Sequence, residues 1–220
     1  MKETLGFESP DENSQEAPVL SEEEIAKHSR MMEKLNQGFQ KKQAKAVNEK
    51  GLLIVLTGPG KGKSSSAMGM ALRGVAHGMK VGIVQFIKSP QDVAERRILE
   101  QFENLDWFTI GDGFTWITQN KAQDIATAKR GWAQAKQMIE SQHYDILIFD
   151  ELNIVLNYNY LPVEEVLIAF AARHPMQHII VTGRNAPEAL LEQADLVSDV
   201  RALKHPYKQQ GVKAQKGIEF

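Results

Sequence analysis

Short apolar runs alternate with amphipathic stretches along most of the chain. Four of these runs are apolar almost throughout, which is typical of strands buried on both faces of a parallel sheet. The predicted strands are LLIVLT (52–57), VGIVQFI (81–87), DWFT (106–109), DILIFD (145–150), HIIVTG (178–183) and LVSDVRAL (196–203). The predicted helices are 63–77, 93–102, 121–142, 162–173 and 187–194. Repeated strand–helix units of this length predict an α/β fold with a mainly parallel sheet flanked by helices.

Two segments precede this alternating body, which we place at residues 50–220. Residues 1–20 are acidic and polar, and we expect them to be disordered. Residues 21–46 open with a capping box, SEEE, and then carry a thin apolar stripe at helical spacing. This N-terminal helical extension is either a solvated helix docked on the body or a mobile lid or subunit-crossing arm beside a polyanionic ligand.

Composition excludes several kinds of chemistry. The chain has no cysteine, so disulfides, thiol nucleophiles, thiolate zinc sites and cysteine-ligated iron–sulfur clusters are excluded. A net charge of −2 gives no global reason to expect nucleic acid or a membrane surface as a partner. No apolar run approaches the ~20 residues that span a bilayer, and the acidic N-terminus does not resemble a signal peptide. We therefore predict a cytoplasmic protein.

The segment LTGPGKGKSSS (56–66) lies between the first strand and first helix of the body. Its end matches the phosphate-binding loop G-x-x-x-x-G-K-[ST], but the first glycine of that pattern would fall at Thr57. A loop that opens a helix offers backbone N–H groups to phosphate, while Lys63 adds a cation and Ser64 a hydroxyl for Mg²⁺. The predicted ATP-binding residues are Gly58, Pro59, Gly60, Lys61, Gly62, Lys63, Ser64 and Ser65, with Arg73 and Arg184 as further candidates. A glycine-rich turn without a ligand is the alternative.

An acidic pair, Asp150 and Glu151, closes the strand DILIFD. Ligands of doubly wound sheets bind at the carboxyl ends of the strands, and a carboxylate there can hold Mg²⁺ directly or through water. We therefore predict a metal site formed by Ser64, Glu151 and Asp150, although one acid could simply support the other. A capping or salt-bridging role is the alternative. Gln85 and Lys88 are weaker ligand-binding candidates, and Asn153 and Asn157 are interpreted as structural.

These segments together resemble the phosphate-loop type (CobA/BtuR type) of ATP:corrinoid adenosyltransferase, from about residue 28 to 220. The resemblance rests on TGPGKGKSSSAMGMALRGVAHG, VGIVQFIK, GDGFTWITQN, ILIFDELN, YLPVEEV, VTGRNAPEALLEQADLVSDV and GVKAQKGIEF. The loop of that family is similar in its short glycine spacing. Pro59 stands where the family often has asparagine, and Ser64-Ser65 where it often has threonines.

The resemblance implies a RecA-like fold of the phosphate-loop NTPase kind and alkyl transfer. Reduced cob(I)alamin, or a related corrinoid, would attack C5′ of ATP to form adenosylcobalamin and release inorganic triphosphate. Lys63 would stabilise the leaving group, and Phe114 and Trp116 would displace the lower axial ligand of the corrinoid. By themselves those two residues favour ordinary core aromatics. The resemblance also implies Mg²⁺, an electron donor for cobalt and a homodimer.

Two other functions stay open at this point. The first is a phosphate-loop ATPase or kinase-like enzyme, which would produce ADP or AMP. The second is a regulator that binds a nucleotide or a corrinoid without chemistry.

Overall fold

The computed structural model describes residues 20–87, 93–110 and 120–218. The chain divides into two compact units between Asn48 and Glu49. Most of the tail predicted to be disordered lies outside the described residues. Within the described ranges, no helix combines the length and the apolar character that crossing a bilayer requires.

The first unit contains helix α1 (Glu22–Gln43). Ser21 Oγ accepts a hydrogen bond from the backbone N–H of Glu24 at 3.2 Å, and the Glu24 carboxylate accepts one from the backbone N–H of Ser21 at 2.9 Å. This reciprocal pair is the predicted capping box. Hydrogen bonds from the backbone and then the hydroxyl of Ser21 hold the pKa of Glu24 below its ordinary value. The two roles predicted for this helix stay predictions.

The described residues of the second unit form one sheet in which every strand pair is parallel. The strands are β1 (Leu53–Thr57), β2 (Val81–Gln85), β3 (Leu105–Thr109), β4 (Ile146–Asp150), β5 (His178–Thr182) and β6 (Leu196–Asp199). Their order across the sheet is β3-β2-β4-β5-β1-β6. Every residue of β2 and β4 is buried, as their apolar sequences predict.

Helices cover both faces of this sheet. In chain order they are α2 (Lys63–Ala76), α3 (Arg96–Leu99), α4 (Lys121–Glu140), α5 (Leu152–Asn157), α6 (Val163–Ala171), α7 (Glu188–Gln193) and α8 (Pro206–Gln210). On one face, Ala67, Met68 and Ala71 of α2 pack with Ile83, Ile148 and Ile180 of the sheet. On the other face, residues of α4, α5 and α6 pack over β2, β4 and β5. The predicted α/β fold with a parallel sheet flanked by helices is confirmed.

Two local predictions were wrong, and two short helices were missed. The helix predicted at 93–102 covers only Arg96–Leu99, and Leu99 is its single buried residue. The strand predicted at 196–203 stops at Asp199, because its partner β1 ends at Thr57, opposite Asp199, where the chain turns into the glycine-rich loop. Helices α5 and α8 were missed, since segments of 6 and 5 residues are too short for an apolar period to be recognised.

Candidate active site

The glycine-rich loop leaves β1 at Thr57 and enters α2 at Lys63. Gly58 and Gly62 have φ values of 96° and 109°, a left-handed region that residues with a Cβ rarely adopt. A Cβ at Gly60 would lie 2.6 Å from the carbonyl oxygen of Val200, so the loop is pressed against the segment after β6. The short glycine spacing therefore belongs to a tight turn that connects β1 to α2 and packs against the segment after β6.

Lys63 points back into this loop. Its Nζ donates hydrogen bonds to the carbonyl oxygens of Gly58 at 2.8 Å and Gly60 at 2.6 Å, and the residue is buried. The first hydrogen bond of the α2 ladder runs from the N–H of Ser66 to the carbonyl of Gly62, so the N–H groups before it take no part in that ladder. An ammonium group beside a helix N-terminus is the arrangement that attracts phosphate.

A cleft of about 740 Å³ opens beside the loop, a size common for small-molecule sites. It brings together many of the predicted residues, namely Gly60, Lys61, Gly62, Lys63, Ser64, Ser65, Gln85, Glu151 and Arg184. Asn157 also lines it, although the sequence interpretation treated that residue as structural. Sequence reasoning missed Tyr158, Asn185, Gly217 and Ile218, which line the cleft as well. The last two belong to the segment GVKAQKGIEF, whose place in the fold no local pattern reveals.

Other predicted residues lie elsewhere or outside the described ranges. Gly58, Pro59, Arg73 and Asp150 do not line the cleft. Arg73 is exposed in the last turn of α2, about 15 Å along the helix axis from Lys63 at the usual rise per residue. Lys88, Phe114 and Trp116 lie outside the described residues.

The acidic pair occupies two different environments. Asp150 is fully buried at the end of β4, and its carboxylate accepts hydrogen bonds from Gln85 Nε2 at 2.8 Å and from Thr182 Oγ1 at 2.7 Å. Glu151 is partly exposed, lines the cleft and caps α5 with a left-handed φ of 63°. Of the two acids, Glu151 is the one that lines the cleft.

Asn153 ties the ends of two strands to α5. It is fully buried, and its Nδ2 donates to the carbonyl oxygens of Leu56 at 3.4 Å and Gly183 at 3.0 Å. Leu56 is the next-to-last residue of β1, and Gly183 directly follows β5. The geometry agrees with the structural role that the sequence interpretation assigned to this residue.

The side chains at the cleft suit a magnesium ion whose remaining ligands come from a nucleotide. The hydroxyl of Ser64 and the carboxylate of Glu151 are hard oxygen donors, which Mg²⁺ prefers. Among the described residues, no group of three or more His, Cys, Asp or Glu side chains could hold a metal by itself. A bound Mg²⁺ would therefore need phosphate and water oxygens for its remaining ligands, as is usual for this ion.

The second unit combines a parallel sheet, a glycine-rich loop with a buried lysine at a helix N-terminus, and an acid that follows β4. This combination defines a phosphate-loop protein of the α/β class. Residues 49–220 match the family described as ATP:corrinoid adenosyltransferase BtuR/CobO/CobP. The chain belongs to this family and is a transferase. The resemblance found in the motifs is thereby confirmed.

The chain matches individual relatives over most of their length. The chain is 43% identical over 208 residues to a corrinoid adenosyltransferase of Sinorhizobium sp, covering 93% of this chain and 96% of that protein. It is 43% identical over 201 residues to that of Pseudomonas aeruginosa, covering 91% and 98%. It is 44% identical over 177 residues to that of Escherichia coli K12, covering 80% and 89%.

Proposed function

We propose that this chain transfers the 5′-deoxyadenosyl group of ATP to a reduced corrinoid, with inorganic triphosphate as the leaving group. Family membership supports ATP and a corrinoid as the substrates. The observation that carries the phosphate-binding part of the proposal is the cleft that the phosphate loop and Glu151 line together. The departure of triphosphate as a whole is proposed from the family resemblance of the motifs.

The proposed step is a displacement at C5′. The electron pair of cobalt(I) forms the cobalt–carbon bond, the C5′–O bond breaks, and triphosphate leaves with the electron pair of that bond. The nucleophile belongs to the corrinoid, so the protein needs no serine, cysteine or histidine nucleophile of its own. Its main tasks are to hold C5′ in line with cobalt and to stabilise the negative charge on the departing oxygen.

Lys63 and the N-terminus of α2 are placed to stabilise that charge. The Lys63 ammonium bonds to two loop carbonyls in this structure, and we propose that incoming phosphate oxygens take over these hydrogen bonds. Lys61 and Arg184 line the same cleft and add positive charge to it. Ser65 and the loop glycines contribute backbone N–H groups.

We assign Mg²⁺ to Ser64 and Glu151, with Asp150 as the buried acid of the same site. The ion would neutralise part of the triphosphate charge. Asp150 already accepts hydrogen bonds at both carboxylate oxygens, which suits a supporting role better than direct ligation. A homodimer, an electron donor for cobalt, a cytoplasmic location and a lid formed by the N-terminal helix stay predictions from the family resemblance and from composition.

One assay separates this function from its alternatives. The protein is incubated anaerobically with MgATP and cob(I)alamin, the visible spectrum is followed, and the phosphate products are analysed. Adenosylcobalamin and triphosphate, formed only when reduced corrinoid is present, are the expected products. ADP or AMP without corrinoid would indicate an ATPase or kinase-like enzyme, and saturable binding without a cobalt–carbon bond would indicate a regulator.

Replacing both Phe114 and Trp116 with alanine is expected to impair one corrinoid substrate selectively. Displacement of the lower axial ligand makes cobalt(II) easier to reduce, so the loss should be greater with cob(II)alamin plus a reductant than with pre-reduced cob(I)alamin. We expect the two losses to differ by at least about tenfold, which corresponds to about 1.4 kcal/mol.

The matched control for that pair is Phe102→Ala, an aromatic deletion at a partly exposed position (37% exposed). It should affect both substrates equally and weakly. Equal losses with the two oxidation states in the Phe114→Ala, Trp116→Ala variant would refute the axial-ligand role.

A further inference from the structure

Three neighbouring strands end in polar residues that share one face of the sheet. Gln85, Asp150 and Thr182 each stand two positions after an isoleucine of the core beneath α2, so strand alternation places all three on the α2 face. Gln85 pairs with Asp150 in the register of β2 and β4, and Phe149 pairs with Val181 one position before Asp150 and Thr182. All three residues are fully buried. We call them the polar row.

The hydrogen bonds of the polar row converge on the Asp150 carboxylate. Gln85 donates through its amide nitrogen and Thr182 donates through its hydroxyl, one to each carboxylate oxygen. The lone pairs of the Thr182 oxygen are then available as acceptors. One of them accepts the backbone N–H of Glu151 at 3.0 Å. The row therefore runs from Gln85 through Asp150 and Thr182 to the backbone of Glu151.

The backbone of Glu151 needs such a support. Its φ of 63° and ψ of 18° lie in the left-handed region, which is unfavourable for a residue with a Cβ. This conformation turns the chain from β4 into α5. A hydrogen bond from the Glu151 N–H to a hydroxyl that is itself held by a buried carboxylate offsets part of that cost.

The side chain of Glu151 is confined as well. A Cβ built on Gly183 would lie 3.2 Å from Glu151 Oε2 and 2.9 Å from the Cβ of Asn153. The glycine after β5 thus lets the Glu151 carboxylate lie against the backbone at the edge of the cleft. Thr182 holds the main chain of Glu151, and the adjacent Gly183 leaves room for its side chain.

We propose that Thr182 is a positioning residue for the nucleotide-bound cation. Its hydroxyl fixes the left-handed backbone of Glu151 and thereby aims the Glu151 carboxylate at the Mg²⁺ of MgATP. The proposal rests on the proposed role of Glu151 as a magnesium ligand. Outer hydrogen bonds of this kind typically change metal affinity by about 10–100-fold when they are removed.

The test is ATP binding measured by calorimetry, with excess Mg²⁺ and separately with EDTA. Thr182→Val keeps the shape of the side chain but removes the hydroxyl. It should raise the Kd for MgATP about 10-fold or more and change the Kd for metal-free ATP less than about twofold. Thr182→Ser keeps the hydroxyl and should restore MgATP binding to within about threefold of the unaltered protein.

Glu151→Gln distinguishes the failure of this proposal from that of the metal site. If Glu151→Gln leaves the Mg²⁺ dependence of ATP binding intact, the metal role of Glu151 is wrong and the positioning proposal falls with it. If Glu151→Gln removes that dependence while Thr182→Val retains it, the positioning proposal alone is wrong. Equal weakening of metal-bound and metal-free ATP by Thr182→Val would mean a merely structural role and would also overturn the proposal.

A measurement on the unaltered protein covers the case in which Thr182→Val does not fold. The backbone amide of Glu151 should exchange with solvent deuterium more than about 10-fold slower than an unstructured amide, because it donates to Thr182. Unprotected exchange at that amide would overturn the proposal without any variant.

Discussion

Replacing Lys63 with methionine is expected to lower kcat/KM for ATP by about 10²–10³-fold, the usual effect of removing one group that stabilises a developing anion. The Lys63 ammonium is buried inside the glycine-rich loop, within hydrogen-bond distance of the carbonyls of Gly58 and Gly60. Methionine has a similar length but no charge, so the space inside the loop stays occupied while the positive charge is lost. Steady-state assays with cob(I)alamin and varied ATP measure the effect.

Binding of inorganic triphosphate gives a second readout of the same change. If triphosphate is the leaving group, Lys63→Met should weaken its inhibition of the reaction as strongly as it weakens transition-state stabilisation. The matched comparison is Lys61→Met, which removes one ammonium from an exposed position of the same loop. Equal losses in the two variants would show that only the total positive charge of the cleft matters.

Replacing Phe170 with alanine is expected to lower the free energy of unfolding by about 3–5 kcal/mol. Phe170 of α6 is fully buried and stacks on Phe149 of β4, with ring centroids 5.6 Å apart and an interplanar angle of 6°. Trp132 of α4 meets both rings edge-on, at centroid distances of 6.1 and 6.4 Å. Removal of one ring leaves a cavity that the other two cannot fill. Urea unfolding followed by circular dichroism measures the change.

Ile168→Ala is the control for Phe170→Ala on the same helix. The Ile168 side chain is 70% exposed, so its removal should change the free energy of unfolding by less than about 0.5 kcal/mol. A similar loss in both variants would mean that any truncation in α6 lowers the free energy of unfolding. The aromatic cluster would then contribute no more to stability than an exposed residue of the same helix.

Local patterns were sufficient wherever a residue acts within its own element. The apolar runs of β1, β2, β4 and β5 predicted buried parallel strands because both faces of such strands are covered by helices. The loop from Gly58 to Ser64 was recognisable because its glycines, lysine and serine act at fixed spacings between one strand and one helix. The motifs also identified the family, which the match over residues 49–220 confirmed.

The two candidate arginines show that local patterns do not predict which residues line the cleft. Arg73 and Arg184 were equal candidates in the sequence, but only Arg184 lines the cleft. Arg73 lies in the last turn of α2, and the length of that helix carries it away from the phosphate loop. A residue on the helix after a phosphate loop approaches the ligand only if its turn is near the N-terminus.

The amino-acid sequence by itself determined the fold class, the phosphate loop and the acidic pair, because each is recognisable from a pattern of residues close together in the chain. Only the tertiary structure revealed the polar row and made Thr182 a partner of Asp150, 32 positions away. Alternation within a strand predicts which residues share a face, but it does not predict which strands are neighbours or in what register they pair. Here β4 lies between β2 and β5, and that order brings Gln85, Asp150 and Thr182 together beneath α2.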